Sequence, residues 1–326
     1  MQKIFRVVYI MLMCQAFISF SLLAQKKDFV LVEAESFNEK GGWVLDQQFM
    51  DQMGSPFLLA HGIGKPVQDA STEVMIPKKG TWHVYARTWN WCSPWKTKES
   101  PGRFKIAVNG AVLDNELGMG TQWNWEYAGS IEIKDKSNIV TLKDLTGFEG
   151  RCDAILFTKN KNSIIPNRKE DLSAFRKELL NIPTKPEDGG HYDLVVVGAG
   201  TAGLSAAIKG AREGLKVALI NNRPVPGGNN SSEIRVVASG EMNVKPYTTL
   251  GNVIKEIRNV YSKEDQVIEM IQAEKMLSYF PNMHVFAASK VGKQIKSVTA
   301  KHIENGKEEE FFSPLFVDCS GDGNLG

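Results

Sequence analysis

Cysteine is scarce in this chain. Cys14, Cys92, Cys152 and Cys319 are the four in 326 residues, which excludes a scaffold built from disulfides and a four-cysteine zinc or iron–sulfur centre. Cys92 and Cys152 share one region, and the sequence leaves their pairing open. Excess charge is also missing. The formal net charge is +2, and Lys3 and Arg6 supply all of it. The rest of the chain is balanced and offers no basic footprint for a nucleic acid. Tryptophan is absent after Trp125, although seven occur up to that point. Long apolar runs are confined to the first residues. The whole chain is 42% hydrophobic and 23% charged, the composition of folded domains, and its length accommodates two of them.

The N-terminus reads as an export signal. Lys3 and Arg6 precede an apolar stretch from Val7 to Leu23, and Leu22-Leu23-Ala24 offers a small residue for cleavage. The stretch is about 17 residues, at the short limit of a membrane span. Residues 1–24 are therefore expected to be a signal peptide. The mature protein is expected in the periplasm or outside the cell, with no stable membrane anchor. The chain stops just after an apolar strand, Leu315 to Cys319, within Gly321-Asp322-Gly323-Asn324-Leu325-Gly326. That ending reads as a domain cut at a functional turn.

Residues 25–159 hold short alternating runs bounded by Gly, Pro, Asn and Asp, with no helical period. Phe29 to Glu33, Trp82 to Ala86, Phe104 to Val108 and Ala154 to Phe157 are examples. This pattern predicts an all-β sandwich, jelly-roll-like. Residues 160–190 read as a connector. It holds a helix from about Arg168 to Leu180, with Leu172, Phe175, Leu179 and Leu180 on one face, then a Pro- and Gly-rich linker. From residue 191 a βαβ opening follows: Tyr192 to Val197, a small-residue helix from Gly203 to Glu213, and Lys216 to Ile220. Helical spacing recurs at Leu250 to Val260 and is expected again from Val267 to Phe280. A hairpin is expected around Asn305-Gly306. The fold expectation is thus a sandwich followed by a Rossmann-like α/β domain, incomplete at its C-terminus.

The sharpest motif is Val197-Gly198-Ala199-Gly200-Thr201-Ala202-Gly203, between a strand and a helix. Gly198 makes the tight turn, Gly200 admits a pyrophosphate to the backbone, and Gly203 lets helix and strand pack closely. The helix start at Thr201 and Ala202 presents N–H groups and a positive dipole end to a diphosphate. The residue expected to bind ribose, about 20 positions on, is usually acidic. Here it is Asn221, followed by Asn222, which can accept a hydrogen bond without charge assistance. Gly227-Gly228 and Asn229 follow. Phe316-Val317-Asp318-Cys319-Ser320-Gly321-Asp322-Gly323, over 100 residues downstream of the first motif, suits a carboxylate, Asp322, facing a ribitol chain. Together these favour FAD over NAD.

Residues 190–326 resemble the two-dinucleotide-fold FAD-dependent oxidoreductases. The run Arg223-Pro224-Val225-Pro226-Gly227-Gly228-Asn229-Asn230-Ser231-Ser232-Glu233 resembles the signature of an exported family of polysaccharide-degrading bacteria. The resemblance implies hydride transfer from a C–H bond to flavin, whose chemistry the cofactor itself carries. It also implies a chain that continues past the Gly-Asp turn. Asn229 to Glu233 face either the cofactor or solvent. His191, His284 and His302 read as structural, Cys319 as an inert thiol, and no catalytic base is identified.

Residues 28–158 resemble the carbohydrate-binding modules of families 6 and 35 through Val32-Glu33-Ala34-Glu35 and Arg151-Cys152-Asp153-Ala154-Ile155. The resemblance implies a structural Ca2+ on Glu33, Glu35 and Asp153, oxygen ligands that suit calcium. The alternative is surface charge at strand ends. Trp89-Asn90-Trp91 and Trp123-Asn124-Trp125 each place two indoles on one strand face, which favours a core or domain interface over a sugar platform. Trp95, in the loop after Ser93-Pro94, is the sugar-stacking candidate. The function expected is an exported FAD-dependent oxidoreductase acting on a small-molecule or glycan substrate. The alternatives are a carbohydrate-binding protein with a degenerate, non-redox α/β domain, and an NAD(P)-linked oxidoreductase.

Overall fold

The computed structural model describes residues 28–92, 101–321, 323 and 325. The signal-peptide segment, Trp95 and Asp322 lie outside the described residues. Contacts divide the chain into two units between Ile182 and Pro183.

The first unit contains β1 (Phe29–Glu33), β2 (Trp43–Asp46), α1 (Met50–Met53), β3 (Phe57–His61), β4 (Ala70–Met75), β5 (Gly80–Thr88), β6 (Phe104–Val108) and β7 (Ala111–Val112). It continues with β8 (Asn124–Ile133), β9 (Ser137–Asp144), β10 (Phe148–Cys152), β11 (Ala154–Thr158) and α2 (Lys169–Leu180). The strands form three sheets, ordered β1-β11-β5-β8, β4-β9-β6-β7 and β10-β3-β2. Alternation decides which side chains go inward. In β4, Ala70, Thr72 and Val74 are buried while Ser71, Glu73 and Met75 are not. Inward residues of all three sheets, among them Trp43, Leu58, Trp82, Phe104, Leu142 and Phe157, share one core. This is the β-sandwich the alternation predicts.

β11 breaks the alternation because it is buried on both faces. Ile155 and Phe157 point into the sandwich core. Ala154 and Leu156 join a second cluster with Phe175, Leu179 and Leu180. The connector helix α2 therefore covers the outside of the first sheet and belongs to the sandwich unit. Its predicted apolar face is the face it buries, and Phe175 meets Phe29 edge-on at 5.7 Å.

The second unit contains β12 (Glu187–His191), β13 (Leu194–Val197), α3 (Thr201–Arg212), β14 (Val217–Ile220), α4 (Asn252–Asn259), α5 (Glu264–Gln272) and β15 (Leu277–Phe280). It ends with β16 (Met283–Val291), β17 (Gln294–His302), β18 (Glu308–Phe312) and β19 (Phe316–Asp318). Strands β15-β14-β13-β19 form a wholly parallel sheet. The run Leu194 to Val197 is continuously apolar because both its faces are covered. Leu194 and Val196 pack under the helices. Val195 and Val197 pack on the other side with Val298, Ala300 and Phe311 of the sheet β12-β18-β17-β16.

Two expectations change here. Residues 267–280 are not one helix: α5 ends at Gln272, and Leu277–Phe280 is a strand paired in parallel with β14. The apolar residues of both halves serve the same core, so hydrophobicity alone masks the switch of period. Residues 187–190, read as linker, fall within β12 (Glu187–His191) alongside β18, with a register shift at Asp188/Gly190. Gly189 has no room for a side chain there, because a Cβ would lie 2.9 Å from the Phe311 ring.

Candidate cofactor site

The crossover from β13 through α3 to β14 opens on one side of β13, and β19 lies on the other. The carboxyl ends of β13 and β19 therefore border the point where strand order reverses, the usual crevice for a nucleotide. Gly198 has φ +96°, and a Cβ there would lie 2.3 Å from the Cys319 carbonyl oxygen. A Cβ on Gly203 would lie 1.7 Å from the Gly198 oxygen. A Cβ on Gly200 would meet nothing within 4 Å. Two of the three glycines are thus demanded by packing, and the third keeps open space before the helix start. The first turn of α3 carries no acidic residue, so the helix itself sets no like charge against an anion at Thr201 and Ala202. These residues fit the diphosphate of FAD.

The second glycine pair lies against the first turn. Gly200 and Gly227 form a parallel bridge, and the Gly227 N–H donates to the Ala199 oxygen at 2.7 Å. Gly228 stays close to the same turn. Of the residues after it, Asn230 and Ser231 are buried and serve the loop: Asn230 accepts from the Ala238 N–H, and the Ser231 hydroxyl donates to the Gly228 oxygen at 2.7 Å. Asn229 is exposed beside the glycine turn.

Asn221 requires a correction. It sits at the end of β14 as expected but is 5% exposed. Its Oδ1 accepts from the Ala199 N–H at 3.3 Å. Its Nδ2 donates to the Arg223 oxygen at 2.9 Å, the Val225 oxygen at 3.1 Å and the Tyr279 hydroxyl at 3.2 Å. The side chain ties the glycine turn to the following loop and is not presented to a ribose. Asn222, half-buried, is the next polar group toward solvent. Tyr279 was not legible as a partner, because residues 277–280 read as helix. Burial pushes its phenol up to about 12, against the hydrogen bond from Asn221.

Asp318 is a second group the sequence did not single out. Its Oδ1 accepts from the Ser320 hydroxyl at 2.6 Å and the Ser320 N–H at 3.0 Å, and its Oδ2 from the Leu325 N–H at 2.9 Å. Burial alone would raise its pKa, but these bonds outweigh it and leave the carboxyl below its ordinary value. Asp318 thus folds the Gly321 turn beside Gly198. An acid two residues before Ser-Gly is the signal that marks such a turn. Burial, followed by the Asp318 charge, raises the Cys319 thiol above its ordinary value. His191 stacks on Phe312 at 4.7 Å, and burial lowers the His302 pKa. Neither touches the crevice residues described above.

In the sandwich unit, Glu33, Glu35 and Asp153 are buried, with carboxylate oxygens within 4.8 Å of one another. They face two guanidinium groups. Arg87 and Arg176 bond Asp153 Oδ2 at 2.7 and 2.6 Å, and the Ser55 hydroxyl bonds Asp153 Oδ1 at 2.8 Å. Both oxygens of Asp153 are occupied and the positive charge is already present, so the set does not fit a calcium ion. Cys92 and Cys152 are both buried and not joined to each other.

The tryptophan pairs do not share strand faces. Trp89 and Trp91 follow the end of β5, and Trp123 precedes β8. Trp123 packs on Phe57 at 5.2 Å and on Trp89 at 5.9 Å, around the guanidinium of Arg151, which lies 5.1 Å from the Trp89 ring centre. Trp125 packs elsewhere, in the cluster under α2, and its indole donates to the Pro166 oxygen at 2.9 Å.

Residues 193–326 match the family model described as FAD dependent oxidoreductase. A soluble pyridine nucleotide transhydrogenase of Ectopseudomonas mendocina (strain ymp) is 29% identical over 128 residues, 39% of this chain and 25% of that protein. An NADH:fumarate oxidoreductase of Klebsiella pneumoniae (strain 342) is 30% identical over 159 residues, 45% of this chain and 16% of that protein. The chain thus spans a quarter or less of the length of these relatives. A family 35 carbohydrate binding module from Clostridium thermocellum aligns at TM-score 0.32 and 18% identity, covering 40% of this chain and 96% of that one. Residues 193–326 are thus similar to FAD dependent oxidoreductases, and the second unit has the α/β fold of an FAD-type domain.

Proposed function

We propose that this chain belongs to an exported FAD-dependent oxidoreductase that oxidises a carbohydrate-related substrate. The observation that carries the reading is the open space ahead of Gly200 at the start of α3, with the Gly227-Gly228 loop bridged to it. The N–H groups at Thr201 and Ala202 receive the diphosphate, and Gly200 admits it. Asn222 and the exposed Asn229 line its approach, while Asn221 and Asp318 hold the two turns in place. FAD, when bound, supplies the hydride acceptor. Export is supported by the charge and apolar pattern of residues 1–24. A carbohydrate-related substrate is supported by the resemblance of the sandwich sequence to sugar-binding modules.

The test is the visible spectrum of the purified full chain after incubation with FAD and desalting. The reading expects retained flavin absorbance that NAD does not displace. A folded chain that leaves the column colourless overturns it and favours a non-redox binding protein.

A further inference from the structure

The carboxylate cluster of the sandwich poses a charge problem. Glu33 ends β1, Glu35 lies in the one-turn 3-10 segment Ala34–Ser36, and Asp153 lies between β10 and β11. Three carboxylates gathered out of water repel one another and demand a counter-charge. A divalent cation is one solution, the one that the resemblance to carbohydrate-binding modules implies. Arg176 supplies another. It lies on α2, beyond the last sandwich strand, and is 6% exposed. Its Nη2 donates to Asp153 Oδ2 at 2.6 Å, its Nη1 donates to the Ser55 hydroxyl, and its Nε stands 3.3 Å from Glu33 Oε1. One guanidinium thus contacts both ends of the cluster, as a metal ion would.

We infer that Arg176 is a built-in cation that takes the place of calcium, so that the sandwich is metal-independent and α2 is its covalently attached counter-ion. Two observations converge on this. Arg87 and Arg176 bring two positive charges to the carboxylate cluster, both bonded to Asp153 Oδ2, and Arg176 reaches Glu33 as well. Finally, the helix bearing Arg176 is seated by its own apolar face, Phe175, Leu179 and Leu180, on Leu31 and Leu156. The guanidinium is delivered by packing and does not depend on the ion pair alone to arrive.

The consequence is a shift of the functional boundary. Cutting the sandwich after β11 would remove its counter-ion and expose Leu156. The test uses the full chain, whose tryptophans all lie between Trp43 and Trp125, so their fluorescence reports unfolding of this unit alone. Wild type is expected to melt at the same temperature in EGTA and in calcium chloride. Arg176→Met is expected to melt lower in EGTA and to regain stability in calcium chloride, because the acidic pocket is then open to a metal. Arg176→Lys keeps the charge and loses the multiple contacts. It is expected to melt between the two and to ignore calcium, which keeps the test decisive if Arg176→Met does not fold. A wild-type midpoint that rises with calcium, or an Arg176→Met chain that melts like wild type, overturns the inference.

Discussion

A side chain on Gly228 would stand 3.0 Å from the Cα of Gly200. The two glycines lie 28 positions apart in sequence, yet the backbone of one loop rests on the turn of the other. That contact requires the bare backbone of Gly228, whereas a side chain on Gly200 would point away from it into open space. It joins the end of β14 to the start of α3 and defines one wall of the crevice.

The three glycines of the first turn should separate by experiment. Gly200 has φ −70° and open space ahead of it, so Gly200→Ala should leave the melting temperature unchanged. FAD affinity should fall by about tenfold or more, a loss of about 1.4 kcal/mol of binding. Gly203→Ala forces a Cβ into the Gly198 oxygen and should destabilise the unit by about 3 kcal/mol or more. Thermal melts and FAD titration of the two variants check this contrast.

Asn221 stands where an acid is usual, and restoring the acid should harm the protein. Asn221→Asp replaces the amide donor with an oxygen facing the Arg223 and Val225 carbonyls. Losing these buried bonds should cost about 1–3 kcal/mol, without any gain in FAD affinity. Denaturant unfolding of the variant, beside the same FAD titration, measures both.

Tyr279 gives a pH dependence with a definite sign. Its folded pKa, about 12, lies above its ordinary value of 10.0. The stabilisation is therefore fully present below pH 10 and lost as pH rises toward about 12. Tyr279→Phe should remove this part of the alkaline loss. Paired unfolding curves across that window, together with a tyrosinate absorbance titration, test it.

Leu156 tests where the sandwich ends. It is fully buried although it points away from the main core, because α2 covers it. Leu156→Ala should cost about 2–5 kcal/mol, as for a core position. A cost near that of an exposed residue would show that α2 is not docked. Tryptophan fluorescence during denaturation reads the answer.

Much of this architecture is legible in the sequence because local periods match the final environments. The alternation in Ala70 to Met75 yields a strand with one wet face, and the glycine turn announces a strand–helix crossover. Legibility fails where one segment serves two layers or where a residue's partner is distant. Leu277 to Phe280 is apolar like the helix before it, so its strand character emerges only from pairing with β14. Asn221 looks like a ribose contact until Ala199, Val225 and Tyr279 consume its hydrogen-bonding groups. Arg176 reads as an ordinary helix cation, since nothing nearby in sequence reveals the three acids it meets. Asp318 is hard to single out in the sequence because the glycine-flanked acid four positions later offers the more conspicuous turn.

The glycine turn is the proposed FAD-binding element. Quenching of flavin fluorescence, as FAD is titrated into the wild-type chain and into Gly200→Ala, tests it most directly. Saturable binding of one FAD per wild-type chain is expected, with markedly weaker binding to a Gly200→Ala chain that melts normally. Equal quenching by both chains, or none by the folded wild type, would contradict it.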